Sequence, residues 1–356
     1  MHAPEVGDPG AKPTVTILVP AYNEADHIQK SLGQLHTHMK GLSSTYDWEI
    51  LVVDDGSSDD TSEQVEQFAA ENDRVRLKAH RANLGLGRAL TTGFRWSTAD
   101  FIVTCDADLS YSPDHITELL DTLITTGAAI VVASPYMRGG TVSGVPRFRA
   151  LLSRWANRFL GRMSMGRLST VTGMVRAYDG QFIRSLTVKA LGTQVNSEII
   201  YKAQVLRAPV VEIPGHLRWT RDETDTARRR LHFNMMRTII DFSFAGFIFR
   251  PFFFFMLPGV FIFLLAAYAI GNSIWHIVIA WGEKAGEALD DRLTESFATA
   301  FARSPHSFVV GGIGLIVAVQ LVSLGLLSAQ SKRYFEDGYN LAAAIYGSRG
   351  ERRDLT

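Results

Sequence analysis

Two aspartates one residue apart, Asp106 and Asp108, follow a short apolar run rich in β-branched residues at 101–105. The run has the pattern of a strand buried on both faces. Carboxylates delivered together to a strand's carboxyl end suit a hard divalent cation. Mg²⁺ typically takes one or two carboxylates and completes its shell with water and phosphate oxygens. In open α/β sheets, ligands collect at such strand ends. A bare Asp-x-Asp is more often a polar turn that caps the next helix, here opened by Pro113 and Asp114. The pair therefore signals chemistry only in company.

Stepping along the chain supplies the company. The run 14–20 reads as a strand ending in Ala21-Tyr-Asn-Glu24, with a helix after it to about residue 39. The run 49–53 reads as a second strand, ending in Asp54-Asp-Gly-Ser57, with a helix from about residue 60. Further strands are expected at 75–79 and 129–133, with helices starting near 83 and running from 114 to about 126. Strand and helix alternating at this spacing predict a mostly parallel sheet with helices on both faces. Tyr22 and Glu24, Asp54 and Asp55, and Asp106 and Asp108 then share one rim. The Gly-rich stretch 83–93 has neither the Gly-Lys-Ser/Thr ending of a P-loop nor the third glycine of a dinucleotide fingerprint. Its backbone amides could attract an anion, but helix-start geometry alone is the better explanation.

The chain has 356 residues, 36 Lys plus Arg against 36 Asp plus Glu, so no global field points to nucleic acid. Its single cysteine, Cys105, excludes an internal disulfide framework and fits a reducing compartment. Residues 1–13 are polar and rich in Pro and Gly, the composition of a flexible terminus and not of a signal peptide. No charged side chain occurs at 251–282 or at 304–331. Each gap exceeds the roughly 20 residues that cross a bilayer core, so a two-helix hairpin is expected over 251–331, with spans at about 252–280 and 306–330. A soluble domain at 14–227 precedes it. A juxtamembrane amphipathic helix at 228–250 would join the two, and 332–356 would form a tail. Arg228 to Arg230, Arg237 and Arg250 flank the first span, and Lys332 and Arg333 follow the second. The loop between carries Glu283, Glu287, Asp290, Asp291 and Glu295 against three cations. The positive-inside rule then puts both termini in the cytoplasm of a multi-pass inner-membrane protein, with that loop outside.

From Arg138 to Arg184 the charged residues are arginines at 138, 147, 149, 154, 158, 162, 167, 176 and 184, against Asp179 alone. Arginine suits bidentate phosphate contacts. Within the run, Phe148, Leu151, Leu152, Trp155, Phe159 and Met163 follow helical spacing, as a basic amphipathic helix at a membrane interface would.

Val19-Pro-Ala-Tyr-Asn-Glu24, Val52-Val-Asp-Asp-Gly-Ser57, Asn83-x-Gly85 and Asp106-Ala-Asp-Leu109 together resemble the inverting glycosyltransferases of family two, with the GT-A fold. Among them the chain is most similar to the membrane-anchored polyprenyl-phosphate sugar synthases. Ser134-Pro-Tyr-Met-Arg-Gly-Gly140, the helix around 153–157, Glu198-Ile-Ile-Tyr-Lys-Ala203, Val211-Glu-Ile-Pro214 and Arg221 carry the closer likeness. The resemblance covers about 14–225 by motif and the membrane part by architecture only.

It implies sugar transfer from a nucleoside diphosphate sugar to a polyprenyl phosphate in the bilayer, with Mg²⁺ or Mn²⁺ as cofactor. By the same resemblance, Pro20, Tyr22, Glu24, Asp55, Asp106, Ala107 and Asp108 would bind the nucleotide sugar. Asp108, with Asp106, would hold the metal. Arg138, Arg147, Arg154 and Arg221 would face the lipid phosphate, with Asp106, Asp108 and Arg221 counted as catalytic. Three positions depart from the pattern: Ser110 in place of Gln, Pro135 in place of Arg, and Ser169-Thr170 in place of an acidic residue before Thr172-Gly173. A glycolipid or polysaccharide acceptor is the alternative. A processive polysaccharide synthase would need Gln-x-x-Arg-Trp, and here Gly215 precedes His-Leu-Arg218-Trp219. A homo-oligomer would help cover the hairpin.

Overall fold

The computed structural model describes residues 12–144, 168–218, 251–286 and 288–353. The amphipathic segment with Arg147 and Arg154, the juxtamembrane segment 228–250, and Arg221 lie outside these residues. The described chain falls into two units, one on each side of residues 249 and 250.

The first unit is built on a seven-stranded sheet. Its strands are β1 (Thr14–Ala21), β2 (Asp47–Asp54), β3 (Val75–Ala79), β4 (Phe101–Thr104), β5 (Ile130–Ser134), β7 (Arg176–Asp179) and β8 (Val210–Pro214), in the order β3-β2-β1-β4-β7-β5-β8. Only β7 is antiparallel to its neighbours. A short parallel ribbon pairs β6 (Thr141–Ser143) with β9 (His216–Arg218). The helices are α1 (Ile28–Gly41), α2 (Thr61–Glu71), α3 (Leu86–Trp96), α4 (Asp114–Thr126), α5 (Gly180–Ser185) and α6 (Val195–Val205).

Alternation within the strands sorts the core onto two faces. Val15, Ile17, Val19, Ile50 and Val52 meet Ile28, Leu32, Leu35 and Met39 of α1 and the Ile116–Leu123 stripe of α4. Leu18, Leu51, Val53, Ile102 and Ile130 meet Ala89, Leu90 and Phe94 of α3 and Ile199 and Ile200 of α6. Burial on both faces explains why these strands read as near-continuous apolar runs. Register then fixes the rim: Ala21 lies beside Asp54, and Leu18 beside Thr104, so the ends of β1, β2 and β4 emerge together.

Consecutive in sequence, β4 and β5 are not neighbours in the sheet. β7 lies between them, four residues long and antiparallel to both. It opens with an arginine of no exposed surface, and Ala177 and Tyr178 behind it are fully buried. So short a strand, begun by a charge, has no periodicity to read.

The second unit contains α7 (Pro251–Glu283), α8 (Leu289–Arg303) and α9 (Pro305–Arg353). The helices at Phe254–Glu283 and Pro305–Phe335 are long and apolar enough to cross a membrane, and only 17% of each apolar window is buried, whereas the core helix of a soluble domain is mostly buried. What is buried between them is small. Gly259, Ala266, Ser273 and Ala280 on α7, and Gly311, Ala318 and Gly325 on α9, recur every seventh residue and are all buried. A Cβ on Gly311 would lie 2.8 Å from Ile270 Cγ1, so the two backbones approach closely there. Close approach of this kind lets helices associate by van der Waals contact where lipid removes the hydrophobic drive. The region expected as a loop at 283–303 is largely the helix α8.

Candidate active site

The rim holds a cleft of about 850 Å³. Pro20, Tyr22 and Glu24 after β1, Asp55 after β2, and Asp106, Ala107, Asp108 and Ser110 after β4 line one side, with Asn83, Gly85 and Leu86 at the start of α3. All seven residues read from the sequence as nucleotide-sugar contacts therefore meet around one cavity. The opposite wall is Thr172, Met174, Thr193, Gln194, Asn196 and Ser197.

Local hydrogen bonds explain how each strand end is shaped. Asn23 has a positive φ of 55° and accepts from the Ser58 backbone N–H at 2.8 Å, while its own N–H donates to Ser57 Oγ at 2.9 Å. The Glu24 N–H donates to Thr61 Oγ1 at 2.8 Å, so the end of β1 is stitched to the loop after β2. Asp54 accepts from the Ser57 N–H and hydroxyl and from Ser62 Oγ, and it is absorbed in building its turn. Asp55 has a second commitment besides lining the cleft. It accepts from the backbone N–H of Leu84 (3.1 Å) and Gly85 (2.7 Å) and pairs with His80 Nδ1 at 2.8 Å. It thereby sets the Asn83–Gly85 loop.

The glycines of that loop serve close backbone packing. Gly87 N–H donates to Leu191 O at 2.7 Å, and a Cβ at Gly87 would fall 2.0 Å from Ala190 O. Gly85 has φ of 94° and would place a Cβ 2.4 Å from Leu191 O. The two walls of the cleft are thus joined behind α3.

Asp106, Asp108 and Glu24 form the electrostatic centre. Burial, then Asp108, then Glu24 push the Asp106 carboxyl up to about 7. Burial and the nearby Asp108 also raise Glu24. Asp108 itself is exposed, on a turn whose next residue, Leu109, has a positive φ of 49°. A leucine in the left-handed region costs of order 1–3 kcal/mol, a strain typical of functional turns. Ser110 donates its hydroxyl to Asp108 at 2.7 Å and its N–H at 2.9 Å. It therefore orients the carboxylate and is not itself turned out as a ligand.

Among the described residues, the cleft is lined by four carboxylates (Glu24, Asp55, Asp106 and Asp108) and by no Lys or Arg. Like charges gathered in one cleft disfavour the ionised form, as the raised Asp106 and Glu24 carboxyls show, and a bound cation would relieve that repulsion. Hard carboxylate oxygens suit Mg²⁺ or Mn²⁺. No cluster of three or more His, Cys, Asp or Glu forms a complete metal nest among the described residues. The donor set fits a cation shared with a bound diphosphate, which Asp108 and Asp106 would hold.

The basic run divides. Arg138 is exposed in the turn after β5 and does not line the cleft, and Pro135 is buried. Arg176 is wholly buried, donating to Val171 O at 2.6 Å and Asn196 O at 3.0 Å. Arg184 donates to Ala99 O at 2.8 Å. These last two belong to the fold, which corrects the reading of the whole run as phosphate-facing. Arg176 ties together the two segments that carry Thr172 and Asn196, and Thr104 Oγ1 donates to Met174 O at 2.6 Å. Glu198 and Glu212 are likewise braces. Glu198 accepts from the N–H of Ala190 (2.6 Å) and Lys189 (3.0 Å). Glu212 accepts from those of Ser169 (2.8 Å) and Thr170 (2.7 Å). The opposite wall escaped sequence reading because its members are uncharged and aperiodic. Their only herald was the pair of braced glutamates.

Residues 16–185 match the model of the Glycosyl transferase family 2 family. The chain is 28% identical over 203 residues to a dolichol-phosphate mannosyltransferase of Pyrococcus furiosus, covering 56% of this chain and 55% of that one. The chain thus spans about half the length of that relative. It is 31% identical over 206 residues to the polyprenol monophosphomannose synthase of Mycolicibacterium smegmatis, covering 56% of this chain and 75% of the relative. Among solved structures, the glucosyl-3-phosphoglycerate synthase of Mycobacterium tuberculosis with UDP aligns with a TM-score of 0.49 at 21% identity, over 66% of this chain and 80% of that one. Identity near one third, sustained over three quarters of the Mycolicibacterium enzyme, is kinship at the level of a family, and this chain belongs to glycosyl transferase family 2.

Proposed function

We propose that the protein transfers a sugar, with inversion, from a nucleoside diphosphate sugar to a polyprenyl phosphate at the cytoplasmic face of the membrane. The observation that carries this reading is a strand-end carboxylate cluster without counter-charge among the described residues, in a chain that also bears two helices able to cross a bilayer. The names of the relatives support the same acceptor class.

In this reading Pro20, Tyr22, Asp55 and the Asn83–Gly85 loop receive the nucleotide. A lipid phosphate oxygen attacks the anomeric carbon from the face opposite the diphosphate. One carbon–oxygen bond forms as the other breaks, and the nucleoside diphosphate leaves with the electron pair. The attacking oxygen is already anionic at neutral pH, so no strong general base is required. Mg²⁺ or Mn²⁺ held by Asp108 and Asp106 would offset the charge gathering on the diphosphate. Ser110 keeps the Asp108 carboxylate in one orientation. Arg147, Arg154 and Arg221, outside the described residues, remain the proposed partners of the acceptor phosphate, with Arg138 at the edge.

A processive synthase is disfavoured at position 215. A Cβ there would lie 3.0 Å from the backbone of Ala133 and Ser134 and from the Tyr111 ring, leaving no room for the glutamine that such enzymes need. The direct test uses membranes containing the protein, polyprenyl phosphate, Mg²⁺ and a panel of labelled nucleotide sugars. The expected product carries one sugar on one phosphate and releases it in mild acid. An acid-stable glycoside would assign the acceptor to a glycolipid instead.

A further inference from the structure

Between the two apolar helices the chain does not loop freely. It forms α8, a helix of 15 residues beginning six residues after Glu283 and ending two before Pro305. One side of α8 packs within the unit through Ser296 and Ala300, both without exposed surface. Beside that side runs a stripe at every fourth position, Leu289, Leu293, Phe297 and Phe301, with exposures of 70%, 52%, 55% and 46%. The charged residues Asp291 and Glu295 fall on the remaining arc, while Asp290, in the first turn, shares the angular range of the stripe. An exposed stripe of four large apolar side chains is costly in water.

The placement of α8 is fixed by its neighbours. Lys284 pairs with Glu295, and Arg303 pairs with Glu283 at 2.7 Å. Arg292 donates to Trp281 O at 2.8 Å while its guanidinium lies 4.3 Å from the Trp281 ring centre. At the other end, the Phe308 ring sits 5.4 Å from Phe297 and 5.5 Å from Phe301. Both ends of α8 are therefore held at the termini of the two helices long enough to span. The stripe thus abuts α9 at Phe308, and the residues that follow there, Val309, Val310 and Ile313, are themselves exposed.

We infer that α8 is an interfacial helix, seated in the headgroup–acyl boundary of the leaflet at the hairpin's closed end, with Leu289, Leu293, Phe297 and Phe301 directed into lipid. An amphipathic helix with a charged face and a Leu/Phe face lies in that plane. The occupant of the stripe is lipid and not protein because the stripe abuts, at Phe308, a spanning helix whose exposed apolar side chains lipid must cover. This rests on the two apolar helices crossing the bilayer, and it is independent of the sugar chemistry.

The test is nitroxide labelling of full-length single-site variants in vesicles of phosphatidylethanolamine and phosphatidylglycerol. Leu293→Cys, Phe297→Cys and Phe301→Cys probe the stripe, and Asp291→Cys and Glu295→Cys probe the charged arc. Cys105, the native cysteine, is buried and stays unlabelled in folded protein. The expected result is that stripe labels collide with oxygen and lose collisions with a water-soluble nickel chelate, whereas the Asp291 label does the reverse. Equal nickel access on both faces overturns the inference by placing α8 in water. Spin–spin broadening at the stripe that disappears on dilution with unlabelled protein also overturns it, assigning the stripe to a second copy of the chain. If the spans themselves do not insert, labels at Leu264→Cys and Val319→Cys report nickel access too, which separates that failure from misplacement of α8.

Discussion

The two units invert each other's rule for what goes inside. In the first, the fully buried side chains are large: Ile17, Leu18, Ile28, Leu32, Leu35, Met39 and Tyr178. In the second, the buried seam is Gly, Ala and Ser at intervals of seven, while Phe261, Leu264, Tyr268 and Ile316 face outward. The same kinds of side chain serve both; a bilayer around the second unit would account for the inversion. Water rewards hiding large apolar surface. Lipid is as apolar as leucine, so only close contact and polar pairing remain to hold helices together. Asn272 Nδ2 donating to Ser307 Oγ at 2.8 Å is one such pair. Chemistry follows the same division: the carboxylate cluster belongs to the unit with an aqueous rim.

This contrast can be broken or sharpened, and the largest effect should be at the rim. Asp108→Ala is expected to lower turnover by about 10³-fold while leaving the melting curve of the first unit unchanged, because the charge on the leaving group loses its counterpart. Steady-state rates with excess Mg²⁺, beside thermal melts, would decide it. Full activity in excess chelator would remove the metal from the reading altogether.

Next comes the core. Leu32→Ala, at a position with no exposure, should destabilise the first unit by about 2–5 kcal/mol in denaturant titrations. The mirror-image experiment in the second unit is to enlarge a small residue. Gly311→Leu should weaken the hairpin by roughly 1–3 kcal/mol, since Ile270 already stands where the new side chain would go. Unfolding in mixed micelles would measure it.

A smaller effect concerns pH. Burial, Asp108 and Glu24 raise Asp106 from 3.8 to about 7, so between those values the folded state holds a proton that the unfolded state has lost. Metal-free protein should therefore lose stability as pH rises from about 4 to 7, by this group's contribution, and then level off. Mg²⁺ plus a nucleoside diphosphate should flatten the slope. Asp106→Asn should abolish this component, and an unchanged slope in that variant would assign it elsewhere. The smallest effect is expected from Leu264→Ala, 61% exposed on α7, at under about 0.5 kcal/mol in lipid. A cost like that of Leu32→Ala would mean that α7 is covered by protein.

How far these features could be read beforehand followed physical signal strength. β1, β2, β4 and β5 were legible because strands buried on both faces leave apolar runs, the edge strand β3 because Val75, Leu77 and Ala79 alternate with Arg76 and Lys78, and the ends of β1, β2 and β4 because charge there is conspicuous. β7 was not, being four residues begun by Arg176. Neither was the neutral wall from Thr172 to Ser197, where amides and hydroxyls carry no spacing rule. Arginine as a residue type was read too uniformly: Arg176 and Arg184 brace carbonyls inside the fold, a use that sequence does not distinguish from phosphate binding. The spans were plain from charge-free length. The seven-residue spacing of Gly259, Ala266, Ser273 and Ala280 was also present in the sequence, masked by the larger apolar residues around it.

The position of β7 has a consequence for the order in which the domain can be completed during synthesis. β4 and β5 leave the ribosome well before β7, and each pairs with β7 on an edge that no other described strand occupies. Until Arg176–Asp179 arrives, one edge of β4 and the whole of β5 stay unpaired, and unpaired edges invite pairing with other chains. β8 in turn can join only at β5, as the last strand of the sheet. Closure of the sheet is therefore a late event, completed only shortly before the first apolar helix is made. A chaperone that binds exposed strand edges would find its substrate in that interval, and a pause in translation between β5 and β7 would lengthen it.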